Sequence, residues 1–230
     1  MDSVVRGGGS KLVAVIPAYN EAGHIGPVVR AVRKFAEAVI VVDDGSGDST
    51  GDEARAAGAQ VYRHLVNRGL GGGIATGLRA ALEAGADIIV TLDGDGQHVP
   101  EEVLDLAGPI SKGEADLVIG SRMLNPEGMP VLRRVANRLA NLCTWALFGV
   151  HVSDTQSGFR ALSRRAAESM DLRTSRMEVS SEIVAEAARH GFRISEVPIT
   201  VIYTDYSLSK GQSFGVGLQT LAKLILRRSQ

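Results

Sequence analysis

The sequence predicts an α/β protein with one mostly parallel central sheet covered by helices, a Rossmann-like arrangement. Two observations support this fold class. Apolar runs occupy residues 12–16, 38–42, 87–90 and 116–120, the last two opened by an aspartate, as expected of parallel strands that are buried on both faces. Segments with helical patterns separate these runs, and this alternation is typical of β–α–β units.

The first strand is followed by signals for a turn and a helix. Pro17 is expected to end the strand, because proline has no N–H to donate to a neighbour. Asn20 is expected to cap a helix over residues 21–35, since asparagine is favoured at helix N-termini. These signals place residues 17–20 at the carboxyl end of the strand.

The second strand is followed by a shorter helix and a further strand. Thr50 and Glu53 have the spacing of a capping box, which predicts a helix that ends near Gly58. A third strand is predicted over residues 60–62. The sheet therefore gains one more parallel strand before the glycine-rich segment begins.

A glycine-rich segment over residues 69–77 leads into a helix predicted over residues 71–83, with Gly85 just beyond its end. The spacing excludes a dinucleotide fingerprint, because glycine would be required at Ile74 or Thr76. No P-loop pattern occurs in the chain. We interpret the glycines as a helix start that lies close to a neighbouring backbone or ligand.

The second half of the chain adds elements of both types. They are a helix opened by Pro100, a long helix over 130–149, a strand after the polar loop 154–160, a helix over 178–190 ended by Gly191, one or two strands over 192–203, and an amphipathic helix near the C-terminus. We predict a flexible lead-in over residues 1–10, one domain over 11–213 and the amphipathic helix within 214–230.

Composition limits the classes of function. The formal net charge of -1 makes nucleic-acid binding an unexpected role, because that role needs a basic surface. Cys143 is the one cysteine, so an internal disulfide and a cysteine-based zinc site are excluded. The N-terminus lacks the apolar core of a signal peptide, and no stretch reaches the roughly 18 apolar residues of a membrane span. A cytoplasmic protein is expected.

The segment Asp93-Gly94-Asp95-Gly96-Gln97 follows a predicted buried strand and is the strongest chemical signal. Two neighbouring carboxylates repel each other, and a hard divalent cation compensates this repulsion while leaving positions for phosphate oxygens. The alternative is a solvated turn in which the Asp-Gly pairs only bend the chain. A Mg²⁺ or Mn²⁺ site is the prediction.

Polar motifs stand at four predicted strand ends, where ligands bind in parallel sheets. Val15-Ile16-Pro17-Ala18-Tyr19-Asn20-Glu21, Val42-Asp43-Asp44-Gly45-Ser46, the aspartate segment and Gly120-Ser121-Arg122 together resemble the inverting family 2 glycosyltransferases. Asp154 to Phe159 and the segment 207–213 look like the polyprenyl-phosphate glycosyltransferases, the group that contains the dolichyl-phosphate mannose synthases. The resemblance implies a glycosyltransferase A-type domain.

The resemblance also implies a set of ligands and residue roles. The donor would be a nucleotide-diphosphate sugar, with GDP-mannose favoured and UDP-glucose as the alternative, and the acceptor a dolichyl or polyprenyl monophosphate. By position, the nucleotide sugar would be held by Pro17, Tyr19, Glu21, Val42, Asp44, Asp93, Gly94, Arg122 and Lys210. The metal would be held by Asp93, Asp95 and Gln97. Simpler interpretations exist for Pro17 as a strand end, Glu21 as a helix-start charge and Lys210 as a solvated loop charge.

The catalytic residues implied are Asp95, Arg122, Lys210 and Asp154. The metal and the two basic residues would stabilise the negative charge that grows on the leaving diphosphate. A lipid monophosphate needs no general base, because its second pKa near 6 leaves an oxyanion at neutral pH. Asp154 is the candidate for a base or for a residue that orients the acceptor, and its simpler role would be to cap a loop.

A lipid acceptor requires contact with a membrane surface. The predicted helix over residues 131–149 has an arginine cluster beside an apolar half that contains Trp145, a pattern typical of interfacial helices. An ordinary core-packed helix is the alternative. We expect peripheral binding at the cytoplasmic face of the membrane, with a separate membrane-anchoring protein as a further partner.

Two other functions stay open at the level of the sequence. One is a soluble glycosyltransferase that acts on a sugar or protein hydroxyl, and the other is a non-catalytic protein that binds nucleotide sugars. The processive polysaccharide synthases carry a Q-x-x-R-W motif, which is absent from this sequence. Transfer of a single sugar is therefore predicted.

Overall fold

The computed structural model describes residues 10–126, 129 and 131–202. Residues 1–9 of the predicted lead-in, Lys210 and the predicted C-terminal helix lie outside the described residues. The strands are β1 (Leu12–Ala18), β2 (Ala38–Asp43), β3 (Gln60–Arg63), β4 (Ile88–Thr91), β5 (Leu117–Ser121), β6 (Arg160–Ser163) and β7 (Ile194–Pro198). The helices are α1 (Ile25–Val32), α2 (Thr50–Ala56), α3 (Gly69–Glu83), α4 (Val103–Ser111), α5 (Val131–Phe148), α6 (Arg164–Ser169) and α7 (Val179–Arg189).

Within the described residues the strands form one sheet of seven in the order β3-β2-β1-β4-β6-β5-β7. All neighbouring pairs are parallel except those of β6, which runs antiparallel to β4 and to β5. The predicted mostly parallel sheet is confirmed. An antiparallel strand begins at the edge where its parallel neighbours end, so β6 brings its first residues to the ligand-binding edge.

Two apolar layers cover the faces of the sheet. Alternate residues of β1 point to opposite faces, as the period of a strand requires. Ala14 and Ile16 join a buried cluster with α1, α2 and α4, whereas Val13 and Val15 join a second cluster with α3, α6 and α7. Helix α5 packs against α7 outside these layers. No helix in the described part of the chain is both long and apolar enough to cross a bilayer.

The prediction that Asn20 caps the first helix is wrong. Helix α1 begins at Ile25 after His24, and Asn20 has a φ of 53°. The reason lies in the segment after β2, which binds four consecutive backbone N–H groups of residues 20–23. Their acceptors are the side chains of Ser46, Thr50, Asp48 and Glu53, in that order. These bonds hold the backbone in a turn where a helix was expected.

Two other local predictions are corrected. Strand β1 continues through Pro17, which lies beyond the last residue that pairs with β4 and so has only β2 beside it. Proline is tolerated at such a position. The capping box of Thr50 and Glu53 is not formed, because α2 starts after Ser49 and Glu53 accepts hydrogen bonds from Ser49 Oγ and from Gly23 N instead.

The glycine-rich helix start is explained by close backbone contacts. Gly71 N donates to Ser175 O at 3.0 Å, and a Cβ atom at Gly71 would lie 1.8 Å from Thr174 O. Six residues further along α3, a Cβ atom at Gly77 would lie 2.2 Å from Val15 Cγ1. The glycines therefore let α3 approach both a loop and the sheet, as the sequence interpretation proposed.

Candidate active site

The predicted site residues meet at the carboxyl edge of the parallel strands. The segment after β4 carries Asp93 and Asp95, and Arg122 follows β5 directly. The loop from Asp154 to Phe159 enters the same edge because β6 is antiparallel. Thr91 Oγ1 donates to Gly158 O at 2.9 Å and joins this loop to the end of β4.

Asp93 lies at the centre of this group with a side chain that is 41% exposed. His98 Nε2 is 3.3 Å from Asp93 Oδ2, and the His98 ring packs against Phe159. Desolvation alone would raise the pKa of Asp93. The hydrogen bond and charge of His98, with the positive charges of Arg122 and Arg160, outweigh it and lower the pKa below its ordinary value. Asp93 is therefore an anion at neutral pH.

The Asp93 carboxylate also needs a glycine beside it. A Cβ atom at Gly158 would lie 2.6 Å from Asp93 Oδ1 and 2.8 Å from Oδ2. Only a residue without a side chain lets the loop pass this close to the carboxylate. Gly158 therefore keeps space next to Asp93 that a side chain would fill.

Asp95 and Gln97 are joined to each other. Gln97 N donates to Asp95 Oδ1 at 3.1 Å, and the Gln97 amide nitrogen contacts Asp95 Oδ2. The turn is completed by Gly96, which has a φ of 78°. Gly94 is buried against Ile25 and Ile16. The aspartates thus sit on a turn whose shape depends on both glycines.

Arg122 and Asp154 form an ion pair held by two side-chain bonds. Arg122 Nε and Nη2 donate to Asp154 Oδ2 and Oδ1 at 2.7 and 2.8 Å, and Arg122 N donates to Oδ2 at 3.0 Å. Asn137 Nδ2 of α5 donates to Oδ1 at 3.3 Å. Asp154 has no exposed surface, whereas 25% of the Arg122 side chain is exposed. The sequence did not indicate that these two site residues pair.

Arg160 is a buried cation that the sequence analysis did not single out. It is 2% exposed, and its Nη2 donates to Thr155 O at 2.7 Å. Its Nε has no hydrogen-bond partner among the described residues. Burial lowers the pKa of Arg160 to about 10, against the opposing effect of Asp154 and Asp93. Arg160 is therefore protonated at neutral pH.

The predicted nucleoside residues lie along the ends of β1 and β2. Pro17 lines a pocket together with Asp93 and Arg160, and the Tyr19 ring is 47% exposed at the same edge. Glu21 N is fixed by Thr50 Oγ1 at 2.7 Å. Val42 has no exposed surface, so a contact with a ligand would involve its backbone.

Asp44 is 4% exposed and organises the start of α3. Its Oδ1 accepts from Arg68 N at 2.8 Å, and its Oδ2 accepts from Gly69 N at 2.7 Å. His64 Nδ1 lies 2.6 Å from Asp44 Oδ1, while His64 Nε2 lies 2.9 Å from Thr76 Oγ1. The carboxylate is thus part of a buried chain from β2 to α3.

The residues near Asp93 fit a hard divalent cation. The described residues contain no group of three His, Cys, Asp or Glu side chains that would enclose a metal. Mg²⁺ and Mn²⁺ suit sites with one or two carboxylates, whose remaining positions are taken by water and substrate phosphates. Asp93 and Asp95 supply the carboxylates, and the Asp93 side chain is exposed enough for a ligand to reach it.

The last described residues of the chain lie beside the segment that carries Asp95 and Gln97. His98 and Val201 form an isolated antiparallel bridge, and Ile202 N donates to Gln97 O at 2.9 Å. Lys210 lies beyond Ile202 and outside the described residues. Its proposed phosphate contact stays a prediction.

Four further residues support the site, and sequence reasoning missed all of them: His64, His98, Gly158 and Arg160. Three of them, His64, Gly158 and Arg160, act on a predicted site residue that lies in another loop. His98 was the one with a local signal, because it directly follows the aspartate segment. The others become visible only when β6 and α3 are placed beside β4 and β2.

The fold and the site define an α/β transferase whose carboxylates and buried cations meet at the ligand-binding edge of the sheet. The model of Glycosyl transferase family 2 matches residues 13–170. The chain therefore belongs to glycosyltransferase family 2, and the predicted family and enzyme class are confirmed.

Relatives and solved structures agree with this assignment. A UDP-N-acetylglucosamine–dolichyl-phosphate N-acetylglucosaminyltransferase from Methanococcus voltae is 36% identical, over 92% of this chain and 94% of the relative. A polyprenol monophosphomannose synthase from Mycolicibacterium smegmatis is 34% identical, over 87% and 80%. Glucosyl-3-phosphoglycerate synthase from Mycobacterium tuberculosis, crystallised with Mn²⁺ and UDP-glucose, has a TM-score of 0.73 and 26% identity, covering 96% and 79%. The glycosyltransferase A-type fold is thus confirmed.

Proposed function

We propose that the protein transfers one hexose, with inversion, from a nucleotide-diphosphate sugar to a polyprenyl or dolichyl monophosphate, and that it requires Mg²⁺ or Mn²⁺. The observation that carries this proposal is the state of Asp154. All four of its hydrogen bonds come from Arg122 and Asn137, and the carboxylate is fully buried. Each of its two oxygens accepts two of these bonds and none of its surface is exposed, so it is not placed to take a proton from an acceptor.

The occupied Asp154 favours an acceptor that needs no general base. A sugar or protein hydroxyl must lose a proton during transfer, so a free base would have to lie beside it. A phosphate monoester already carries an oxyanion at neutral pH. In this proposal Asp154 orients Arg122, and the exposed part of the Arg122 guanidinium contacts phosphate oxygens.

The leaving group is stabilised at the other side of the site. Asp93, Asp95 and Gln97 would hold the divalent cation, which when bound neutralises the charge that grows on the departing diphosphate. Lys210 would add a second cation. The nucleoside would lie against Pro17, Tyr19, Glu21 and the backbone near Val42, with Asp44 shaping the start of α3. These assignments rest on position and on the family membership.

The names of the relatives support a polyprenyl or dolichyl phosphate as the acceptor. They name different sugars, so the donor has to be identified by experiment. The M. voltae relative is named for UDP-N-acetylglucosamine and dolichyl phosphate, and the M. smegmatis relative for mannose and polyprenol phosphate. GDP-mannose is our favoured donor, with UDP-glucose and UDP-N-acetylglucosamine as competitors. The Mn²⁺ and Mg²⁺ in the related crystal structures support the metal.

Helix α5 supplies a face for the membrane that holds the acceptor. Four large apolar side chains on its outer face are between 45% and 56% exposed: Val135, Leu139, Leu142 and Trp145. The helix sequence contains arginines and no acidic residue, which suits anionic headgroups. Its opposite side holds Asn137 and Asn141, which bond to Asp154 and Thr155. Peripheral binding through α5 would place the acceptor phosphate near Arg122.

A transfer assay tests the proposed reaction. Purified protein is incubated with polyprenyl phosphate, Mg²⁺ or Mn²⁺ and radiolabelled GDP-mannose, UDP-glucose or UDP-N-acetylglucosamine in separate reactions. Label in the organic phase with one donor, and its loss in EDTA, is the expected result. Label that enters only water-soluble products would indicate a hydroxyl acceptor. Nucleotide-sugar binding without transfer of label would indicate a non-catalytic binding protein.

A further inference from the structure

Arg160 places a positive charge beside Asp93, one of the two carboxylates that would hold the metal. It lines the same pocket as Asp93, and its charge acts on both Asp93 and Asp154. The guanidinium is buried, and its hydrogen bond to Thr155 O fixes its position. A cation held here repels a second cation more strongly than it would in water, because little solvent separates them.

The charges around the site show why this repulsion matters. The charges of Arg122 and Asp154 cancel in their ion pair. What remains is the one positive charge of Arg160, which acts on Asp93, and the two negative charges of Asp93 and Asp95. A divalent cation bound by Asp93 and Asp95 would therefore leave the site with an excess of positive charge. A nucleoside diphosphate supplies the negative charge that removes this excess.

We propose that Arg160 weakens binding of the metal ion alone and so makes metal retention depend on the nucleoside diphosphate. The proposal rests on the metal site of the proposed function. It gives the buried guanidinium a positioning and electrostatic role, and Arg160 need not touch the reacting atoms. Binding of the metal and the diphosphate is then coupled, and each raises the affinity for the other by the same factor.

A purely structural role for Arg160 predicts the opposite change. If Arg160 only supported the loop at Thr155, its removal would loosen Gly158 and Asp93 and would weaken metal binding. If its charge repels the metal, its removal strengthens metal binding in the absence of nucleotide. The direction of the change therefore separates the two roles.

The test measures Mn²⁺ binding by electron paramagnetic resonance, with and without GDP or UDP, in the wild type and in Arg160→Met and Arg160→Lys. Met removes the charge and keeps much of the volume, whereas Lys keeps the charge. We expect Arg160→Met to bind Mn²⁺ alone about five- to tenfold more tightly, with the coupling to the diphosphate reduced by a similar factor. Arg160→Lys should stay within about twofold of the wild type for Mn²⁺ alone.

Equal or weaker Mn²⁺ binding by a folded Arg160→Met variant would overturn the proposal while leaving the metal site intact. Circular dichroism and thermal unfolding establish that the variant is folded, and Arg160→Gln replaces it if Met prevents folding. A wild type that binds no Mn²⁺ even with GDP or UDP would instead refute the metal site of the proposed function, and this inference with it.

Discussion

Arg122 donates from Nε and Nη2 to both carboxylate oxygens of Asp154, at 2.7 and 2.8 Å, across a separation of 32 residues. The pair joins the end of β5 to the loop that enters β6. It also joins that loop to α5 through Asn137. One buried carboxylate therefore sets the positions of a site cation and of the helix that we assign to the membrane surface.

Asp154→Asn should be strongly destabilising. The substitution removes the negative charge of the Arg122–Asp154 pair, and breaking a buried pair costs about 3 kcal/mol. Urea denaturation should show this loss in the free energy of unfolding. Asp52→Asn is the matched control, because the Asp52–Arg55 pair is exposed and its loss should have little effect. An Asp154→Asn variant of normal stability and no activity would instead support a direct chemical role for Asp154.

Asp95→Asn should lower kcat at least about 100-fold with the fold retained, because a neutral amide is a weaker ligand for a hard cation. Asp95 is only partly buried, so the stability should change little. Transfer rates over a range of Mn²⁺ concentrations provide the measurement. Asp105→Asn, on the exposed side of α4, is the control and should behave as the wild type. Unchanged turnover in Asp95→Asn would remove Asp95 from the metal site.

Gly158→Ala should impair metal binding through sterics alone. The new methyl group would lie 2.6 Å from Asp93 Oδ1, so the carboxylate or the loop must shift. We expect the apparent affinity for Mn²⁺ in the presence of GDP or UDP to fall about tenfold, since small displacements in a site have large effects. Gly108→Ala is the control, because nothing lies within 4 Å of its new methyl group. Normal Mn²⁺ binding by Gly158→Ala would contradict the close approach.

Thr76→Val should weaken nucleotide-sugar binding from a position that no ligand is expected to touch. It removes the partner of His64 Nε2, and an unsatisfied buried group costs about 1 to 3 kcal/mol. His64 then holds Asp44 less firmly, so KM for the donor should rise several-fold more than kcat falls. Thr76→Ser keeps the hydroxyl and should retain the wild-type KM. If both variants have the same KM, the chain from Thr76 to Asp44 has no influence on the donor.

The double substitution Leu139→Glu and Leu142→Glu should release the protein from membranes. Each leucine contributes roughly 1.5 to 3 kcal/mol when it leaves water, so co-sedimentation with vesicles that contain anionic lipid should fall at least about tenfold. Leu104→Glu is the control, because Leu104 is similarly exposed at 52% but belongs to α4. Equal loss of vesicle binding in Leu104→Glu would show that α5 has no special part in it.

The positions of the main strands along the chain and the aspartate turn could be predicted because their signals are local. Apolar runs define β1, β2, β4 and β5, and Asp93 follows its strand directly. The start of α1 could not be predicted, because the N–H groups of residues 20–23 bond to side chains about 26 to 30 residues away. A favourable local cap at Asn20 was overridden by these long-range bonds.

The contacts that hold the site residues in place could not be predicted either, because they also join residues that are distant in the sequence. Nothing near Asp154 indicates that Arg122 is its partner, and nothing near Arg160 indicates that it is buried next to Asp93. Both contacts depend on β6 lying between β4 and β5, in the direction opposite to theirs. A short strand after a polar loop predicts β6 but does not predict its place in the sheet.

The place of β6 also divides the sheet into two modules. Strands β1 to β4 form one parallel half, and β5 and β7 form another, with β6 as the seam between them within the described residues. Asp93 and Asp95 follow β4 of the first half, and Arg122 follows β5 of the second half. Arg160 is the first residue of β6, and Asp154 lies in the loop that enters it. Under the proposed function, a crossover between β4 and β5 would exchange the residues assigned to the acceptor and leave Asp93 and Asp95, assigned to the metal, unchanged.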